Sequence, residues 1–233
     1  MRKFQFENQI KKIPKEVKWC KKCIMSNQRP RIIFYEDGIC SACKNNERKQ
    51  KIKWEEREKE LKDLLNRHRK KDGSFDVIVP SSGGKDSGYV AHQLKYKYNM
   101  NPLTVTWSPL KYTQIGIKNL QSKIDSGFDN ILYRPNGLIQ RKLARLCLEE
   151  LGDAFHVFVL GQLAYPVHMA VKMKINLIFY GENGELEYAG DPDYIDKPYK
   201  PSSEWLEHFY KGCKIDELVK YGVENKDYLK SYK

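Results

Sequence analysis

The 233-residue sequence predicts an α/β protein: a mostly parallel sheet with helices on both faces, preceded by a small cysteine-bearing module. Three observations predict it. Beyond Gly73, short apolar runs alternate with helical patterns in β-α-β-α order, the order that joins parallel strands through crossover helices. A glycine pair, Gly83-Gly84, stands at the first junction between such a run and a helical pattern. Two C-x2-C pairs lie within residues 1–44.

The cysteine module comes first. Cys20 and Cys23, then sixteen intervening residues, then Cys40 and Cys43 match the spacing of zinc ribbons. Two residues between thiolates let one tight turn present both sulfurs to one metal, and two such turns close a tetrahedral site. Four protein ligands leave no open position, so the zinc is expected to be structural. Disulfides would need an oxidising compartment, and redox use of either pair is the remaining alternative. Between the pairs lie a strand-like run, Arg31 to Tyr35, and a turn at Glu36-Asp37-Gly38.

Residues 45–72 read as a charged connecting helix. Glu55/Lys59, Glu58/Lys62 and Asp63/Arg67 are acid-then-base pairs at four-residue spacing, and Ile52, Leu61, Leu64 and Leu65 form a narrow apolar stripe. The main domain is expected over 73–233. Its strand candidates are residues 76–79, 103–107, 130–133 and 175–180, and its helical patterns cover 87–98, 114–126, 139–151 and 154–173. In such folds ligands sit at the carboxyl ends of the strands, at the switch point of the sheet.

Composition excludes some classes. Hydrophobic residues at 40% and charged residues at 31% argue against disorder and against a membrane span. The apolar run from Ala154 to Ala170 is broken by His156, Gln162 and His168 and reads as a buried helix. The N-terminus shows no apolar stretch of signal-peptide length, so the cytoplasm is the expected compartment. Residues 1–72 hold 22 Lys and Arg against 11 Asp and Glu, whereas the rest hold 20 against 19. A basic module of this kind can hold nucleic acid, a phosphorylated small molecule or an acidic partner, or can serve solubility alone.

Ser82-Gly83-Gly84-Lys85-Asp86-Ser87 lies between the first strand and the first helix. A glycine pair there lets backbone N–H groups approach an anion, and the helix N-terminus adds its partial positive charge. Asp86 after Lys85 excludes a Walker A loop, and G-x-G-x-x-G is absent. The six residues resemble the SGGxDS signature of the PP-loop ATP pyrophosphatases, whose fold is of the adenine nucleotide alpha hydrolase type. With the cysteine module, Val79-Pro80, residues 116–120, Gly127-Phe128-Asp129 and residues 181–185, the chain from Trp19 to Gly190 resembles the N-acetyl sugar amidotransferases. That family serves bacterial surface-polysaccharide synthesis, including lipopolysaccharide O-antigen, and flagellin glycosylation with pseudaminic acid. Its members run on well past the point where this sequence stops at Lys233, so a C-terminal part is expected to be missing.

The resemblance implies ATP as co-substrate and magnesium as its partner. It implies that Ser82, Gly83, Gly84 and Ser87 hold the departing pyrophosphate, that Lys85 neutralises it, and that Asp86 orients magnesium or the loop. Glu182, directly after the last strand, is the acid expected to bind magnesium or the sugar, with Glu185 second to it. The implied partners are an N-acetylated sugar or sugar nucleotide and separate glutaminase and cyclase-like subunits that supply ammonia. Two other readings stay open. One is a PP-loop tRNA-modifying enzyme of the thiolation type, although no cysteine pair stands in the catalytic domain, where only Cys147 and Cys213 occur; the other is a non-catalytic binding protein. Cys147, His156 and His168 are expected in the core, and Asp191 and Asp193 in an acidic loop or a surface turn.

Overall fold

The computed structural model describes residues 13–29, 32–183 and Lys197. Glu185, Asp191, Asp193 and Cys213 lie outside them. The chain divides into two compact units, the first of Met1–Leu61 with Asn183–Lys200 and the second of Lys62–Glu182 with Pro201–Lys233.

In the first unit, antiparallel contacts of Trp19 with Ser26 and of Phe34 with Cys40 close two short loops. Helix α1 (Ser41–Gln50) follows at once, with Cys40 as its extended N-cap residue. Among the described residues of this unit only Cys20 and Cys40 are buried, while Val17, Trp19, Ile24 and Tyr35 are exposed. Among the described residues, no apolar core holds these loops together.

The charged stretch expected as one helix is two. Helix α1 starts inside the cysteine module, because the chain leaves Cys40 directly into a helical turn, and α2 (Trp54–His68) begins after a break at residues 51–53. Arg57 pairs with Glu60 on α2, and Lys53, in the break just before it, pairs with Glu56, both three residues apart.

The second unit is mixed α/β. Strands β1 (Val77–Pro80), β2 (Pro102–Trp107) and β3 (Asn130–Tyr133) form a parallel sheet in the order β1-β2-β3. Helix α3 (Lys85–His92) follows β1 and runs on as a π-helical turn, Gln93–Lys97. Helix α4 (Gln114–Asp125) follows β2; α5 (Gly137–Leu151) and α6 (His156–Met173) follow β3. Thr113 caps α4 by accepting the Gly116 N–H at 3.0 Å, Asn136 caps α5 through the Leu138 N–H, and Gly152 ends α5 in the left-handed conformation.

Every residue of β2 is buried, as a parallel strand covered on both faces requires. One face carries Leu103, Val105 and Trp107. The first two, with Ile78, pack on Met169, Ala170 and Ile175, and Trp107 packs on Leu143, Cys147, Val157 and Leu160. Val77, Val79, Thr104 and Thr106 are equally buried on the other face, where right-handed crossovers put α3 and α4. Asn130 donates to the hydroxyls of both threonines there at 2.9 Å. Cys147 and His156 are buried, His168 half-buried.

The fourth expected strand, 175–180, is shorter than its sequence suggests. It lies parallel to β1 on the side away from β2 and makes one bridge, Ile78 with Ile178. Ile78 donates to the Leu177 carbonyl at 2.9 Å, and its own carbonyl accepts from Phe179 at 2.8 Å. The next residue of β1 to turn its backbone toward this segment is Pro80, which has no N–H to give, so the pairing ends there.

Two glycines in helices test opposite signs. A Cβ on Gly161 of α6 would lie 2.0 Å from Trp107, whereas one on Gly88 of α3 would meet nothing within 4 Å. Gly161→Ala is expected to lose about 2 kcal/mol or more, because overpacking outweighs the gain of about 1 kcal/mol in helix propensity. Gly88→Ala is expected to gain up to about 1 kcal/mol, and urea unfolding of both variants measures the pair.

Lys123 of α4 is 7% exposed and its Nζ has no hydrogen-bond partner among the described residues. Burial lowers its amine from 10.5 to about 8. The unfolded chain then holds more protons between these values, so the penalty is full at neutral pH and stability rises as pH climbs from about 8 toward 10.5. Lys123→Met is expected to raise stability at pH 7 by about 1–3 kcal/mol and to flatten that rise, read from urea unfolding at pH 7 and 9.5.

Candidate functional site

Two sites carry chemistry, one in each unit. In the first, the four Sγ atoms of Cys20, Cys23, Cys40 and Cys43 lie within 4.8 Å of one another. Cys20 and Cys43 are 4.0 Å apart and Cys23 and Cys40 3.6 Å. These separations bracket the edge of about 3.8 Å that four Zn–S bonds of about 2.3 Å make in a tetrahedron. They are far longer than a disulfide, and all four thiols are free.

The backbone supports thiolates. Cys20 Sγ accepts from the Cys40 N–H at 3.3 Å and the Lys22 N–H at 3.4 Å, and Cys23 Sγ accepts from the Met25 N–H at 3.4 Å. Burial pushes the Cys20 thiol up, but the N–H groups of Cys40, Lys22 and Cys23 outweigh it and bring it down to about 6. Burial raises Cys40, and Cys43 is pushed up to about 12, first by its bond with Cys23 and then by burial. Four crowded sulfurs thus resist a second negative charge until a cation joins them. They are positioned to hold a metal ion such as zinc, with every position of a tetrahedron filled by protein. Around them Lys22 pairs with Glu47 at 2.7 Å and Lys44 with Asp37 at 2.6 Å.

The second site grows from β1. After Pro80 the chain turns through Ser81 to Gly84 and enters α3 at Lys85. Gly83 has φ +84°, and a Cβ there would come within 2.8 Å of the Leu120 nitrogen, so both conformation and space demand glycine. Ser82 Oγ accepts from the Gly84 N–H at 3.3 Å, and the buried Ser81 donates to the Ser87 hydroxyl at 3.2 Å. No side chain caps α3, which leaves its first-turn N–H groups for an anion.

The loop forms one side of a cleft of about 330 Å³. Ser82, Gly84, Asp86 and Ser87 line it, and so does Glu182. Gly83 and Lys85 are not among the lining residues: Gly83 makes the turn, and the exposed Lys85 Nζ lies 2.5 Å from Asp86 Oδ1. The loops after β1 and after Ile178 meet on either side of the point where strand order reverses. A Cβ on Gly181 would stand 3.0 Å from the Asp86 backbone, a tight contact that glycine avoids where the two loops approach.

Motif reading missed most of the far wall. Trp107, Phe155, Phe158, Leu163, Pro166 and Tyr180 all line the cleft, with Gln162 among them. Trp107 and Phe158 look like core residues in sequence, and only Gly161 and Pro166, two helix-breaking residues in one apolar helix, signalled that this helix does more than pack.

No protein-family model matches the chain. Over 87 residues it is 34% identical to the uncharacterized protein MJ1599 of Methanocaldococcus jannaschii, a match covering 37% of this chain and 31% of that relative. No helix among the described residues is long and apolar enough to cross a membrane.

The purified protein is expected to carry about one zinc per chain by elemental analysis. Cys40→Ser with Cys43→Ser is expected to lose that metal and to expose the first unit to protease while the second unit keeps its melting transition. Zinc retained in the double variant would refute the ligand set.

Proposed function

We propose that this chain is a PP-loop ATP pyrophosphatase and, within that class, an N-acetyl sugar amidotransferase of bacterial surface-glycan synthesis, acting in the cytoplasm. The observation that carries the reading is the loop from Ser82 to Ser87, an SGGxDS sequence at a strand-to-helix turn that lines a cleft at the switch point of a parallel sheet.

An acetamido group resists ammonia because its oxygen is a poor leaving group. Attack of that oxygen on the α-phosphorus of ATP releases pyrophosphate and leaves an O-adenylated imidate; the amide proton goes to solvent. Ammonia adds to the imidate carbon, AMP leaves with the former amide oxygen, and an acetamidine results. The protein's part is positioning and charge stabilisation. The first-turn N–H groups of α3, with Ser82 and Ser87, receive the pyrophosphate. Asp86 and Glu182, carboxylates that both line the cleft, suit a hard cation and would hold magnesium on the phosphates. Lys85 can leave its exposed pairing with Asp86 to meet the leaving group.

The basic charge of residues 1–72 favours one rival, a tRNA-modifying enzyme using the same loop. Pyrophosphate release separates them: an N-acetylated sugar nucleotide is expected to stimulate it and unmodified tRNA to leave it at background. Asp86→Ala and Ser82→Ala are expected to lower the stimulated rate by about 10²-fold or more at unchanged melting temperature. Ammonium salt is expected to support amidine formation by this chain alone, and glutamine only with an added glutaminase and its cyclase-like partner. Stimulation by tRNA and not by sugar would transfer the assignment to the rival.

A further inference from the structure

Ser81 stands one residue before the Ser82-to-Ser87 signature and belongs to the sheet rather than to the loop. Its N–H donates to the Val105 carbonyl at 2.8 Å, so the pairing with β2 runs one residue past the end of β1. Its side chain is buried, yet the residue lines the cleft. The sheet thus fixes this hydroxyl before the chain turns.

The direction of its hydrogen bond follows from counting protons. Ser87 Oγ lies 3.3 Å from the Gly84 carbonyl, which can only accept, so the single hydroxyl proton of Ser87 goes there. The 3.2 Å bond between the two hydroxyls then takes its proton from Ser81. Ser87 accepts from the sheet and donates elsewhere. Its donation to Gly84 is dispensable, because that carbonyl already accepts the Gly88 N–H at 3.1 Å. An anion in the cleft can take over the Ser87 proton and leave no acceptor unpaired.

We propose that Ser81 is a positioning residue that holds the Ser87 hydroxyl as a proton donor toward a phosphate oxygen in the cleft. A free hydroxyl can turn either its proton or a lone pair toward a neighbour. With a lone pair of Ser87 engaged by Ser81, the donor is oriented before the anion arrives, and less ordering remains to be done on binding. Ser81 acts through Ser87 and not on the phosphate. This inference rests on the phosphate reading of the cleft and adds to it a residue outside the motif.

The test is calorimetric titration of the full chain with inorganic tripolyphosphate and magnesium, with melting temperature as the check on folding. Threonine and valine share a shape and differ by the hydroxyl, so Ser81→Thr and Ser81→Val form the deciding pair. Ser81→Val and Ser81→Ala are expected to weaken binding about threefold to tenfold, the loss of one neutral hydrogen bond, and Ser81→Thr to stay within about twofold of the native affinity. On a Ser87→Ala background, Ser81→Ala is expected to change nothing further, because the hydroxyl it positions is gone. That double variant decides the matter should the branched side chains not fold. Equal losses in the threonine and valine variants would reduce Ser81 to packing and overturn the proposal. So would native affinity in Ser81→Ala, or an undiminished loss on the Ser87→Ala background; in each of these outcomes the phosphate loop survives. A native protein that does not bind tripolyphosphate removes the phosphate reading itself, and the inference with it.

Discussion

The missing N–H of Pro80 is the constraint on which the cleft depends. Up to Ile78, strand β1 is hydrogen-bonded on both sides, to β2 and to the segment around Ile178. At Pro80 the second set of bonds cannot continue, while on the other side Ser81 still donates to Val105 at 2.8 Å. The sheet therefore stays closed along β2 and parts along its other seam. Two loops leave at that parting, and one of them carries Ser82 to Ser87. A fully paired fourth strand would close the crevice in which Asp86 and Glu182 line one cleft.

The two units solve the problem of small size differently. The second buries side chains such as Ile78, Leu103, Val105 and Leu143 completely, each worth about 1.5–3 kcal/mol of transfer free energy. Among the described residues of the first, burial is confined to two cysteines. Its loops are held by backbone bonds such as Cys20 N–H to the Met25 carbonyl at 2.8 Å and by N–H···S bonds, and they bring four sulfurs under 5 Å apart. A metal held by these sulfurs would make binding and folding one free energy rather than two.

Much of this was legible in the sequence, and what was not has physical causes. The cysteine cluster needed only spacing, because ligand geometry is local. β1, β2 and β3 and the helices after them followed from apolar runs bounded by turns, within a few residues. The charged segment misled because acid–base spacing reports helix but not continuity, and nothing in the pairs marked the break at residues 51–53. The run 175–180 misled because a strand's length is set by its neighbour, and the proline that ends the pairing lies almost a hundred residues earlier. The far wall of the cleft stayed hidden because Trp107, Phe158 and Leu163 have the composition of a core, and only their position relative to the loop makes them a binding surface.

Departures from local preference gather where that surface is. Gly83 takes a left-handed φ against Leu120, Gly161 yields its side-chain space to Trp107, Pro166 interrupts α6, and Gly181 presses on the Asp86 backbone. The two in α6 weaken it, by about 1 kcal/mol for a helical glycine and more for a helical proline. None of the four is explained by the element it sits in. All four adjoin one cleft, where a tight turn, a close approach of two loops and a seated indole come together. A chain that met only the demands of folding would spare α6 the proline, so the cost borne there is an argument for a ligand that is independent of any motif.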